Sequence, residues 1–213
     1  MVAIFFDLDG TLTDPKEGIT KSIQYALEQL GMESPSPDDL EWCIGPPLKE
    51  SFDQLLGGRS LSEEAIVLYR ERFAETGLYE NEIYPEIVLL LNKLKEKGFP
   101  LFVATSKPEI YATKIIEHFN LESFFERVFG SELNGTRSNK TDLLEYALSK
   151  TGSRPSNSLM VGDRKHDVLG ALNNKMISVG VTYGYGTVSE LKGAGVHYFI
   201  DKPLDFLNVV DSL

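Results

Sequence analysis

Short apolar runs alternate along the chain with longer stretches whose apolar residues recur every three to four positions. The first run, Val2-Ala3-Ile4-Phe5-Phe6, is β-branched and aromatic and stops at Asp7-Leu8-Asp9-Gly10. It predicts a buried strand that ends in a polar loop. Similar runs follow at Phe99 to Ala104, Ser158 to Val161, Met176 to Val181 and Tyr198 to Ile200. Helical spacing marks Ile87-Val88-Leu90-Leu91-Leu94, then Ile110 to Phe119, Leu143 to Leu148 and Val168 to Leu172. A run of about 4–6 residues followed by about 10–15 helical ones is the pattern of βαβ units on a parallel sheet.

Residues 16–81 break that rhythm. Only helical patterns occur there: Ile19 to Leu30, Pro37 to Cys43, Leu48 to Leu56 and Ser62 to Phe73. Gly31, Ser34-Pro35, Gly45-Pro46-Pro47 and Gly57-Gly58 punctuate them. Placed directly after the first strand, these helices read as an insertion. The expected organisation is an α/β core of residues 1–15 and 82–213 with a helical cap of residues 16–81. No internal repeat or sustained heptad is present.

Composition narrows the picture by exclusion. At 213 residues and 42% hydrophobic, the chain can bury a core without disulfides or structural metal. Lys and Arg number 21 against 32 Asp and Glu, a formal charge of -11. Such a surface repels nucleic acids and anionic lipid, so neither is an expected partner. The single cysteine, Cys43, excludes an internal disulfide framework and fits a reducing compartment. The opening apolar run is too short for a signal peptide's apolar region or a membrane span, and a cytoplasmic location is expected.

The chemistry gathers at strand ends, where ligands bind in parallel α/β sheets. In Asp7-Leu8-Asp9-Gly10-Thr11, alternation points both carboxylates the same way, about 6–7 Å apart along the backbone. An EF-hand loop would need glycine and glutamate where Leu12 and Gly18 stand. In Val161-Gly162-Asp163-Arg164-Lys165-His166-Asp167, Asp163 sits at the start of a helix, as its expected cap, and Asp167 follows four residues on. Three or four converging carboxylates repel one another unless a hard dication takes oxygen ligands, and Mg²⁺ suits that role.

Two further segments supply anion-binding groups. Leu101 to Ala104 runs into Thr105-Ser106-Lys107-Pro108, where hydroxyls meet a helix opened by Pro108 with Ser106 as its candidate cap. Lys140 follows Ser138-Asn139, either of which can cap the next helix. A cation in that first turn opposes the helix dipole, which suggests function, with Arg137 as its rival. Gly180-Val181-Thr182-Tyr183-Gly184-Tyr185-Gly186 reads as a tight loop at the sheet's carboxyl edge. His118, His166 and His197 lack zinc spacing, and neither a P-loop nor a G-x-S-x-G elbow occurs.

In order and kind, these elements resemble the haloacid dehalogenase-like hydrolase superfamily over almost the whole chain, within it the phosphoglycolate phosphatase and 5′-nucleotidase branch. Gly45-Pro46-Pro47-Leu48 and Thr182 to Gly186 are similar to that branch, although Arg137-Ser138-Asn139-Lys140 lacks its usual Lys-Pro pair. The resemblance implies a Rossmann-like parallel sheet with a helical cap that closes over the site. It also implies a Mg²⁺-dependent phosphomonoesterase for a small phosphorylated metabolite. Asp7 would be the nucleophile and Asp9 the general acid and base. Thr105, Ser106 and Lys140 would bind phosphate with Gly10 and Thr11, Thr11 also positioning Asp9. Asp7, Asp9 (through its main-chain carbonyl), Asp163 and Asp167 would form the metal site. The second carboxylate, Asp9, favours phosphoryl transfer over dehalogenation, and Gly162 before Asp163 favours a hydrolase over a sugar phosphomutase. A sugar phosphomutase of the same fold and a non-catalytic phospholigand-binding protein are the alternatives. Phosphoglycolate would call on a cap cation, Lys49, Arg59 or Arg70; a nucleotide would call on a platform, Trp42, Phe52 or Tyr79. A monomer or weak homodimer is expected.

Overall fold

The computed structural model describes residues 2–213. They form two compact units, one of residues up to Asp14 together with Ile83–Leu213, the other Pro15–Glu82. Among the described residues, no helix is long and apolar enough to cross a membrane.

The Pro15–Glu82 unit is helical, with α1 (Lys16–Gln29), α2 (Leu48–Leu55) and α3 (Ser62–Arg72). Its core stacks Tyr69 on Phe73 at 5.2 Å and sets Phe52 edge-on to Tyr69 at 6.2 Å. Phe52 is fully buried in that core, so it is packing and offers no platform to a ligand. The stretch read as helical from Pro37 is a 3₁₀ helix, Asp38–Cys43, and α3 continues into a single π turn, Phe73–Gly77. Gly18 lets α1 pass that turn, because a Cβ there would lie 1.9 Å from the Gly77 carbonyl oxygen.

The other unit is built on a sheet whose strands are β1 (Ala3–Phe6), β4 (Leu101–Pro108), β5 (Arg127–Ser131), β6 (Ser158–Gly162), β7 (Ile177–Val181) and β8 (Tyr198–Ile200); the intervening β2 (Thr13–Asp14) and β3 (Glu82–Ile83) form a separate two-stranded ladder. The sheet runs β5-β4-β1-β6-β7-β8, with every pair parallel. Helices α4 (Ile87–Glu96), α5 (Glu109–His118), α6 (Lys140–Thr151), α7 (Lys165–Asn173), α8 (Val188–Ala194) and α9 (Phe206–Asp211) connect or follow the strands. This is the α/β fold that the alternating pattern predicts.

β1 is central and buried on both faces, which is why it reads as an unbroken apolar run. Phe5 pairs in register with Phe102 and Met160 and stacks on Phe102 at 4.9 Å. Phe6, on the opposite face, meets the Phe206 ring at 5.7 Å. From β1 the sheet grows towards β4 and β5 on one side and β6 to β8 on the other. The strand order therefore reverses at β1, and the loops after β1, β4 and β6 meet where a doubly wound sheet opens a crevice.

Three elements escape the periodicity. β5 has only Val128 and Phe129 as apolar residues, and Gly130 interrupts it because a Cβ there would lie 2.5 Å from the Glu109 backbone. α8 and α9 span seven and six residues, too few turns to display a helical stripe.

Candidate active site

The turn after β1 is wound by the Leu8 carbonyl, which accepts from the N–H groups of Thr11, Leu12 and Thr13 at 3.2, 2.9 and 3.0 Å. Gly10 adopts φ +76°, and a Cβ on it would lie 2.3 Å from Asp163 Oδ2. The turn can thus touch the β6 loop only with glycine at this position. The Gly10 N–H donates to the Thr13 carbonyl at 2.8 Å. The Gly10 and Thr11 amides are thus both used within the turn itself. The Thr11 hydroxyl is buried without a hydrogen-bond partner. The Thr11 carbonyl accepts from the Tyr183 hydroxyl at 3.1 Å.

Asp7 follows β1 and donates its N–H to the Val161 carbonyl at 2.8 Å. Its Oδ1 accepts from the Leu8 N–H at 2.8 Å and lies 3.1 Å from Lys140 Nζ. Lys140 also meets Asp167 Oδ1 at 2.7 Å and donates to the Ala104 carbonyl at 3.0 Å. The helix start is as the sequence allows, with the Asn139 side chain accepting from the Thr141 N–H at 2.8 Å; Asn139, not Ser138, is the cap. Arg137 instead pairs with Glu132 at 2.9 Å and lies over the Tyr146 ring, so Lys140 is the cation of the cluster. Its stem crosses α7 at Gly170, where a Cβ would come within 2.8 Å of Lys140 Cγ.

Asp163 is fully buried after β6, its Oδ2 accepting from the Tyr185 N–H at 2.8 Å and its Oδ1 without a hydrogen-bond partner. It is not the helix cap expected of it. Arg164 holds that position, and its N–H donates to Asp167 Oδ2 at 3.0 Å. Pro108 likewise occupies the cap position of α5 rather than its first turn, and Ser106 is not the cap. The half-buried Ser106 accepts from the Ser131 hydroxyl through its carbonyl at 2.9 Å. Thr105, buried on β4, accepts through Oγ1 from the Lys107 N–H at 3.3 Å. Lys107, to which the sequence assigned no role, places its Nζ 2.8 Å from Asp9 Oδ2.

One carboxylate oxygen each from Asp7, Asp163 and Asp167 lies within 4.8 Å of the others, all three residues buried. The Asp9 carboxylate stands outside that trio, turned to Lys107. Burial, then the charges of Asp167 and Asp7, push the Asp163 carboxyl well above the ordinary range, against the Tyr185 N–H. Burial raises Asp167 to about 6 against the pull of Lys140, and raises Asp9 against that of Lys107. Burial lowers Lys140, but Asp167 and Asp7 outweigh it and leave its pKa raised.

The loop after β7 closes the site on the core side. A Cβ on Gly184 would fall 2.3 Å from the Gly10 carbonyl oxygen, and one on Gly186 only 1.8 Å from that of Asp163. The Tyr185 hydroxyl bonds the Asp14 carboxylate. Its alternating glycines were the signal in the sequence for this close approach. Lys107 and Gly170 had no comparable signal, because nothing local distinguishes them from a surface lysine and a helix glycine.

A haloacid dehalogenase-like hydrolase family model matches residues 4–181. The chain is 47% identical over 200 residues to a 5′-nucleotidase of Pseudomonas aeruginosa, covering 93% of this chain and 90% of that protein. It is 41% identical to the tyrosine-protein kinase PtkA of Mycobacterium tuberculosis, covering 93% of this chain but 65% of PtkA. Among solved structures, a predicted phosphatase from Clostridium acetobutylicum superposes with a TM-score of 0.96 at 40% identity, covering 100% of both chains.

Proposed function

The chain belongs to the haloacid dehalogenase-like hydrolase family and is a phosphatase; on that premise we propose a Mg²⁺-dependent phosphomonoesterase that works through an aspartyl phosphate on Asp7, with nucleoside 5′-monophosphates as substrates. The observation that carries the mechanism is the arrangement of Asp7, tied to Lys140 among buried carboxylates, beside an Asp9 whose Oδ1 is unpaired.

The residues fit a divalent cation. Four carboxyl groups, Asp7, Asp9, Asp163 and Asp167, face two ammonium groups, Lys107 and Lys140, so full ionisation of the cluster would leave two negative charges for a dication to balance. Asp163 Oδ1, buried and unpaired, is the kind of ligand atom such an ion takes. Asp7, Asp163 and the Asp9 main-chain carbonyl would hold Mg²⁺, with Asp167 behind them. Bound there, it supplies the positive charge that lets a phosphate dianion approach the cluster.

The Asp7 carboxylate attacks phosphorus, forming an O–P bond as the bond to the leaving oxygen breaks. Asp9 gives that oxygen its proton, then takes one from the water that cleaves the Asp7–phosphorus bond. Lys140 and Thr105, with Ser106, hold the transferring oxygens. The nucleotide leaving group is supported by the Pseudomonas relative, which the chain covers almost end to end.

The test is phosphate release from nucleoside 5′-monophosphates, phosphoglycolate and sugar phosphates, with Mg²⁺ and with chelator. Mg²⁺-dependent release ranked highest for the nucleotides is expected. Release unaffected by chelator would reject the metal, and phosphoglycolate ranked first would reject the leaving group.

The raised carboxyl pKa values also make a stability prediction. A carboxyl that titrates higher folded than unfolded favours folding at low pH, and that contribution is lost as pH rises through the folded value. For Asp167 the loss runs from near 3.8 to about 6, and for Asp163 it runs from near 3.8 up through its own, well raised value. Without metal, Asp163→Asn should therefore melt above the wild type at pH 7.5, and show no such gain at pH 4. Each kcal/mol moves Tm by roughly 2–4 °C in a chain of this size. Thermal melts of both proteins at the two pH values check it. A gain independent of pH would refute the electrostatic cause.

A further inference from the structure

We propose that Lys107 is a positioning residue for Asp9, pinning one carboxylate oxygen so that the other faces the leaving oxygen of the phosphate ester. The inference rests on Asp9 being the group that protonates that oxygen.

The two oxygens of Asp9 are not equivalent. Oδ2 lies 2.8 Å from Lys107 Nζ, with the two side chains only 6% and 10% exposed. Oδ1 is buried and has no hydrogen-bond partner. Stability does not account for this arrangement. A buried ion pair is often no better than apolar side chains of similar volume, and an unsatisfied buried oxygen costs about 1–3 kcal/mol. Proton transfer does account for it, since the donor must present one fixed oxygen within hydrogen-bond reach of its target.

The backbone around Lys107 is shaped to the same end. The register between β4 and β5 shifts between Ala104 and Pro108, and Lys107 lies inside that irregular stretch. Such an irregularity re-aims side chains that a regular strand would send to alternate faces. The Lys107 N–H donates to Thr105 Oγ1, so one short segment sets both the phosphate-binding hydroxyl and the lysine. The two buried lysines divide the first motif between them: Lys140 takes Asp7, and Lys107 takes Asp9.

Leaving-group dependence tests this, because kcat/KM reports events only up to departure of the leaving group. The probes are adenosine 5′-monophosphate (or phosphoglycolate, if it is the better substrate) and p-nitrophenyl phosphate, whose leaving group needs little protonation. Lys107→Met should lower kcat/KM about 100-fold on the alkyl ester and less than about 5-fold on the aryl ester. Lys107→Arg should recover most of the alkyl activity by restoring the cation. If the methionine variant fails to fold, Lys107→Gln should show the same skew. In an Asp9→Asn background, the lysine substitution should add no further skew, as for two residues acting through one step. Equal losses on both esters, with Asp9→Asn still skewed, would overturn the role of Lys107 and leave that of Asp9 standing. No skew in Asp9→Asn itself would instead reject Asp9 as the acid, and this inference with it.

Discussion

Asp7→Asn should lower kcat/KM by about 10⁴-fold or more, because no other group would be placed to form the first bond to phosphorus. The amide cannot attack phosphorus, whereas Asp163, Asp167 and Lys140 are left in place. The fold should survive. Asn keeps an oxygen for the Leu8 N–H, and Lys140 retains Asp167 at 2.7 Å and the Ala104 carbonyl at 3.0 Å. Removing one charge from three buried carboxylates also relieves repulsion that a metal-free cluster carries. Melting at or above the wild-type temperature, with no acid-stable phosphate on the quenched variant, is the expected pair of results. Turnover retained within about 10-fold would reject Asp7 as nucleophile.

Lys140→Met should be the most destabilising single change at the site. The lysine neutralises Asp7 at 3.1 Å and Asp167 at 2.7 Å while almost wholly buried. Removing one side of a buried pair leaves an uncompensated charge and costs about 3–5 kcal/mol. That corresponds to a fall in Tm of roughly 6–20 °C in metal-free protein of this size. Added Mg²⁺ should recover part of it by taking over the charge. Arginine should not replace the lysine, because the stem passes Gly170 with no room beside it and a planar fork does not fit three partners around one nitrogen. Thermal melts with and without Mg²⁺ test this. A drop below about 2 °C would mean that the carboxylates shed their charge by protonation instead.

These outcomes bear on how the site could be read beforehand. Asp7, Lys140 and Asp163 stand just beyond strand ends or at a helix start, whereas Thr105 lies within β4. Each such boundary is written in residues close by in the chain, as the arrest of Val2 to Phe6 at Asp7 shows. Local chemistry also limited what the loops could be, since Leu12 and Gly18 exclude a calcium loop. It misled where geometry turned on a single residue. Asp163 in a helix-opening sequence resembles a cap, yet the helix starts one residue later, and the carboxylate accepts from the distant Tyr185 N–H rather than from that helix's own amides. Phe52 is an aromatic residue between helices, and only packing shows that Tyr69 covers it.

By itself the sequence determined the alternation of strand and helix, the helical insertion and the residue types able to hold a phosphate and a dication. Those follow from periodicity and side-chain chemistry, which act over a few neighbouring residues. The tertiary structure decided which of them meet. Placing β1 between β4 and β6 brings Asp7 against Lys140 and Asp163, turns Arg137 away to Glu132 and Tyr146, and sets Lys107 on Asp9. Contacts between residues more than 90 positions apart depend on strand order and on glycines that let backbones approach, and neither is encoded in the local pattern around any one residue.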